Sequence, residues 1–177
     1  DLPRLSIYNE PGHRFNKNFF DLSNETCLVG FWQSEKYFRQ IRSTLLEDFR
    51  FREDPNAQNA AVLDVIKSTN SVSLHVRRGD YVSDKKTNQF HGTISLDYYR
   101  KAIERVTNRV HEPTFFIFSD DPEWCEEKLI IDYPAHYIAH NPPNEGHEDI
   151  RLMSNCQHNI IANSSFSWWG AWLNQGD

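Results

Sequence analysis

Three cysteines, Cys27, Cys125 and Cys156, are all that 177 residues supply, and no two form a C-x-x-C pair. So sparse and odd a set argues against a disulfide framework and for reduced thiols. No run of about 18 apolar residues is present, which leaves this stretch without a transmembrane helix. No secretory leader is visible, and the chain opens at Asp1 rather than at a methionine. Positive charge is also in short supply. Nineteen Lys and Arg stand against 25 Asp and Glu, for a formal net charge of -6. Broad nucleic-acid binding needs a basic surface that releases counterions, so no nucleic-acid partner is expected. There is no G-x-G-x-x-G, no Walker loop, no nucleophile elbow, no internal repeat and no low-complexity segment. His136 and His140 stand four apart, but on a segment that reads as a strand and without an accompanying Glu, so no metal site is expected.

The most informative stretch runs from Asn70 to Tyr81. Val72, Leu74 and Val76 alternate with Ser71, Ser73 and His75, the period-two pattern of a strand. Arg77, Arg78, Gly79 and Asp80 follow at once. Ligands of open α/β sheets sit at the carboxyl ends of strands, and a guanidinium holds phosphate through paired N–H bonds. In an acidic chain, Arg77 with Arg78 is the best local cluster for an anion. An arginine pair after a strand is equally an ordinary solvated turn, and Arg78-Gly79-Asp80 is a short tripeptide.

Elsewhere the chain reads as follows. Leu5–Tyr8 and Cys27–Trp32 are extended pieces. Tyr37, Phe38, Ile41, Leu45 and Phe49 then share one helical face, with Ser34 as N-cap. After Pro55, the positions of Ala61, Val62, Val65 and Ile66 predict a helix leading into the strand at Val72. Ser83–Gln89 reads as a loop, and Leu96, Tyr99, Ile103, Val106 and Val110 mark a helix. Thr114–Phe118 is a strand, and Asp121 before Pro122 starts the next helix. Tyr133–Ala139 and Asn159–Ala162 are strands flanking a short helix from Glu148 to Cys156. From residue 72 onward the order is βαβαβαβα, which predicts a parallel sheet with helices on both faces.

A second constellation is Ala162-Asn163-Ser164-Ser165-Phe166, where an apolar strand ends and a helix begins. A helix N-terminus offers N–H groups and positive dipole to phosphate oxygens. N-capping alone needs one such polar residue, and three in a row lean toward a ligand loop. Asp149, early in the preceding helix, favours the helix dipole. Its carboxylate is also suited to guanine, whose N1–H and exocyclic amine are two adjacent donors. Trp168, Trp169 and Trp172 share one helix and read as packing rather than as a sugar platform.

Taken in order, these residues resemble the α-1,2-fucosyltransferase family. The matching pieces are V-G-F-W-Q-S-E-K-Y-F (29–38), H-V-R-R-G-D-Y (75–81), F-H-G-T-I-S-L-D-Y-Y (90–99), F-S-D-D (118–121) and L-M-S-N-C-Q-H-N-I-I-A-N-S-S-F-S-W-W-G-A-W-L (152–173). The resemblance covers nearly the whole chain from residue 29. It implies inverting, metal-free transfer of L-fucose from GDP-fucose to the 2-hydroxyl of a galactoside, without a cofactor. It also implies a Rossmann-like α/β fold of GT-B type. By this similarity Arg77 binds the diphosphate and stabilises departing GDP, with Arg78 beside it. His75 and Asp149 contact the guanine side. Ser164, Ser165 and Phe166, following Asn163, close over phosphates and base. Asp80 lies within the matched motif and is suggested as general base.

The family's glycine-rich opening segment has no counterpart here. Residues 1–69 are therefore expected to be a partial N-terminal and linking segment, and residues 70–177 a Rossmann-like GDP-fucose-binding domain, the donor half of a larger enzyme whose N-terminal half is missing. The expected partners are GDP-fucose and a galactose-terminated oligosaccharide acceptor. A cytoplasmic location is expected, with peripheral membrane association left open because this piece does not encode it. The alternative from another class is a non-catalytic carbohydrate-binding or adhesion module, using the tryptophans or the Arg-Gly-Asp turn.

Overall fold

The computed structural model describes residues 5–78 and 94–176. They fall into two compact units, the first ending at Arg50 and the second beginning at Phe51.

In the first unit, strands β1 (Ser6–Asn9) and β2 (Thr26–Val29) pair in parallel, Ser6 opposite Thr26. Its centre is aromatic: the Tyr37 ring lies 4.9 Å from Phe19, 5.0 Å from Phe15 and 5.3 Å from Trp32. Here the sequence expectation needs correcting. The single amphipathic helix expected after Ser34 is instead two 3-10 turns, Glu35–Tyr37 and Arg39–Ile41, followed by a short α1 (Arg42–Asp48). Ser34 makes no side-chain cap bond, and Phe38 at φ -132° interrupts the helical backbone. The break lets Tyr37 turn into the aromatic cluster, while Ile41 and Phe49 stay exposed.

The second unit is a four-stranded parallel sheet in the order β5-β4-β3-β6, built from β3 (Asn70–Val76), β4 (Pro113–Ser119), β5 (Ala135–Ile138) and β6 (His158–Ile160). Its helices are α2 (Ala57–Ser68), α3 (Leu96–Thr107), α4 (Pro122–Lys128), α5 (Gly146–Asn155) and α6 (Ser165–Trp172). Alternate residues of each central strand enter two separate cores, as a pleated strand requires. Val72, Leu74 and Val76 join Phe115 and Ile117 against Tyr99 of α3 and Cys125 of α4. Phe116 and Phe118 face the other way, onto Leu63 and Ile66 of α2 and Leu152 and Met153 of α5. The parallel sheet with helices on both faces is therefore present as expected. Helix α2, assigned by sequence to the linking segment, packs into this sheet.

Strand β3 is buried on both faces, although its alternation suggests one polar face. Its serines are satisfied inside: Ser71 Oγ accepts from the Gln157 N–H at 3.1 Å and Ser73 Oγ from Asn159 Nδ2 at 2.7 Å. Two neighbouring strands make β3 central, and their polar groups supply the partners that water cannot.

Strand order also marks where a ligand belongs. The chain lays β4 and then β5 to one side of β3, then crosses back to place β6 on its other side. That reversal between β3 and β6 is a topological switch point, and the crevice outside the carboxyl ends of two such strands is where open α/β sheets bind ligands.

Candidate functional site

Both constellations singled out in the sequence leave this crevice. Leu74 of β3 is in register with Ile160 of β6. Two residues further along each strand stand Val76 and Ala162, followed by Arg77-Arg78 on one side and Asn163-Ser164 on the other. Gly79 and Asp80 lie outside the described residues.

The arginines are held by the end of the next strand. Arg77 Nη1 pairs with Asp120 Oδ2 at 3.0 Å, the side chains being 35% and 25% exposed. The Arg78 backbone N–H donates to Asp120 Oδ1 at 2.8 Å, and Arg78 Nε to Asp121 Oδ2 at 3.2 Å. Arg78 also stacks its guanidinium 4.3 Å over the Trp124 ring. Asp121 is anchored as the N-cap of α4, accepting from the Trp124 N–H at 3.2 Å, as its place before Pro122 predicts. Sequence reasoning did not connect Asp120, Asp121 and Trp124 with the arginine pair. The available signal was F-S-D-D at the end of an apolar strand. With these partners the pair carries little net charge at rest, yet Arg77 remains partly open to solvent.

Across the crevice, Ser164 is the N-cap of α6 and makes no side-chain cap bond. Ser167 performs the bracing: its Oγ accepts from the Ala162 N–H at 3.3 Å and donates to the Ser164 carbonyl at 3.3 Å. Tyr98 of α3 donates its hydroxyl to the Ile161 carbonyl at 2.8 Å, fixing the strand end from the other face. Neither Ser167 nor Tyr98 was singled out as a candidate from the sequence.

His75 and Phe166 meet here, ring centres 5.5 Å apart. His75 is 5% exposed and its Nδ1 is buried without a hydrogen-bond partner in the protein. Burial, partly opposed by the Asp120 charge and assisted by Arg77, pushes its pKa down to about 4, so the imidazole is neutral near pH 7. Phe166 in turn reaches α5, for a Cβ placed on Gly146 would lie 3.3 Å from its ring. Asp149 stands in the first turn of α5, and its Oδ1 accepts from Asn141 Nδ2 at 2.8 Å. Burial raises the pKa of its carboxyl, while Asn141 and His140 pull it back down.

Among the described residues, no group of three or more His, Cys, Asp or Glu side chains is placed to hold a metal. His136 stacks on Phe116, and His140 bonds Asn59. The tryptophans of α6 pack on one another, with Trp172 buried. No described helix is long and apolar enough to cross a membrane.

The model of glycosyl transferase family 11 matches residues 8–177. The chain belongs to that family. Among its family 11 relatives, an alpha-1,2-colitosyltransferase of Escherichia coli is 43% identical over 99% of this chain and 62% of its own length. The O-antigen biosynthesis glycosyltransferase WbnK of Escherichia coli is 37% identical over 98% of this chain and 57% of its own length. The galactoside 2-alpha-L-fucosyltransferase Sec1 of Mus musculus is 28% identical over 84% and 42%. This family 11 chain thus spans about three-fifths of the two bacterial relatives. No solved structure matches it significantly.

Proposed function

We propose that the intact protein transfers L-fucose from GDP-fucose to the 2-hydroxyl of a galactoside, in α-1,2 linkage and with inversion. The described second unit would be the donor-binding half of a GT-B-like scaffold. The observation that carries this reading is the crevice of a family 11 chain, where β3 ends in Arg77 and β6 ends in the tip of α6. A departing GDP gathers negative charge on its β-phosphate. Arg77 and the first N–H groups of α6 are preorganised to receive that charge, with no metal required of the mechanism. Ser164 and Ser165 add hydroxyl donors, and Arg78, held on Trp124, keeps the strand end in place. His75 and Phe166 form an apolar, neutral seat for the base, with Asp149 at its guanine edge. Asp80 follows in the same motif and is proposed to take the proton of the acceptor hydroxyl.

Replacing Arg77 tests the centre of this scheme. Arg77→Ala in the intact protein is expected to weaken GDP and GDP-fucose binding by about 2–5 kcal/mol, measured by calorimetry, and to abolish transfer. Unchanged affinity for both nucleotides would sink the assignment. The colitosyltransferase relative favours a second donor. Assays with GDP-fucose and GDP-colitose over a panel of galactosides would decide between them, and sugar binding without any nucleotide dependence would favour a non-catalytic module.

A further inference from the structure

Asp149 is held by a half-buried chain of side chains drawn from three separate parts of the second unit. A carboxylate has no proton to give, so the Asn141 atom 2.8 Å from its Oδ1 is the amide nitrogen. This orientation turns Asn141 Oδ1 toward Asn59, whose Nδ2 donates to it at 2.8 Å. Asn59 Oδ1 then receives the other Asn141 N–H at 3.2 Å and faces His140 Nε2 at 2.7 Å. An amide oxygen only accepts, so His140 carries its proton on Nε2. The polarity of three side chains follows from one carboxylate. Asn59, wholly buried, comes from α2, His140 and Asn141 from the segment after β5, and Asp149 from α5.

Such an arrangement is expensive for mere packing, since the buried Asn59 amide must be matched or it destabilises the fold. Its effect on Asp149 is specific. A carboxylate gripped at one oxygen by a rigid amide pair cannot turn freely about its last bond. It therefore presents its edge in one plane, which two adjacent N–H donors of a planar base require.

We infer that Asn59, Asn141 and His140 are positioning residues that aim Asp149 at a nucleobase and thereby set the preference for guanine over bases lacking its exocyclic amine. The inference rests on the donor site proposed above. Inosine diphosphate is the matched probe, because hypoxanthine keeps N1–H and loses only the amine. A buried hydrogen bond to a charged group corresponds to about tenfold or more in affinity.

The experiment is calorimetric titration of the intact protein with GDP and with inosine diphosphate, for the wild type, Asn141→Ala and the double variant Asn59→Leu/Asn141→Leu. The double variant replaces both amides with apolar groups of similar shape, so neither is left facing an empty partner if the single variant fails to fold. The wild type is expected to prefer GDP by about tenfold or more, and the variants to bring that ratio close to one while holding inosine diphosphate within about threefold. Equal losses for both nucleotides, with the ratio kept, would indicate a purely structural network and overturn the inference. So would a wild type that binds the two nucleotides equally. A wild type that binds neither brings down the donor site itself, a failure visible separately because Arg77→Ala then has no affinity to lose. Nitrogen-15 spectra of the wild type should show His140 as the Nε2–H tautomer, and the opposite tautomer would also overturn the assignment.

Discussion

Glu148 and Arg151 are 6% and 8% exposed, and they meet through two bonds, Nε to Oε2 at 2.9 Å and Nη2 to Oε1 at 3.1 Å. Arg151 also donates to the Glu53 carbonyl at 2.8 Å and covers the Phe51 ring at 4.2 Å, tying the start of the second unit to α5. Removing one ion of a buried pair strands the other, so Glu148→Ala should cost about 3–5 kcal/mol in urea unfolding. Replacing both by methionine should cost far less. A small effect of the single change would show the pair to be solvated. His75 makes a different demand. Unfolded it binds a proton near pH 6.5, and in its buried place only near 4. Between those values the unfolded chain holds more protons, so this contribution to stability is intact above 6.5 and is lost as the pH falls toward 4. The loss should reach on the order of 3 kcal/mol. Urea unfolding at about pH 7 and about pH 4.5 should show that drop, and His75→Leu should flatten it.

Among elements, α5 packs directly on α6, and α6 brings Phe166 to the crevice. A Cβ on Gly170 would lie 2.9 Å from the Cβ of Met153, an atom fixed to the α5 backbone. Gly170→Ala must therefore push the helices apart, at a cost of about 1–3 kcal/mol in stability. Because α6 also carries the serine tip, its displacement should weaken GDP binding as well as lower the melting temperature. A variant as stable as the wild type, with unchanged GDP affinity, would contradict this packing. Elements such as α4 needed no such contact to be foreseen. Asp121 before Pro122 sets a cap and a helical φ in adjacent residues, and both signals are local. The region after Ser34 went the other way, because its apolar spacing matched a helix while its aromatic Tyr37 had a better place in a cluster of rings.

At the scale of the molecule, strand order decides which residues can act together. Alternation in β3, the βα sequence and the polar run after β6 were all readable from the chain, since each reports local backbone preference and apolar periodicity. They pointed to Arg77 and to Ser164 through Phe166 as candidates for an anion site, whereas His75 became a candidate only through the resemblance to the α-1,2-fucosyltransferases. That β6 returns beside β3 rather than following β5 outward has no local signature, because parallel neighbours are joined through long crossovers. The same holds for Asp120 beside Arg77, 43 residues away, and for Asn59 beside Asn141, 82 residues away. By itself, the amino-acid order determined the strands and helices of the second unit, the Asp121 cap and the chemical character of two strand ends. Tertiary structure alone decided which ends share a crevice and which amides face one another, since those choices depend on how whole faces exclude water together rather than on any short run of residues.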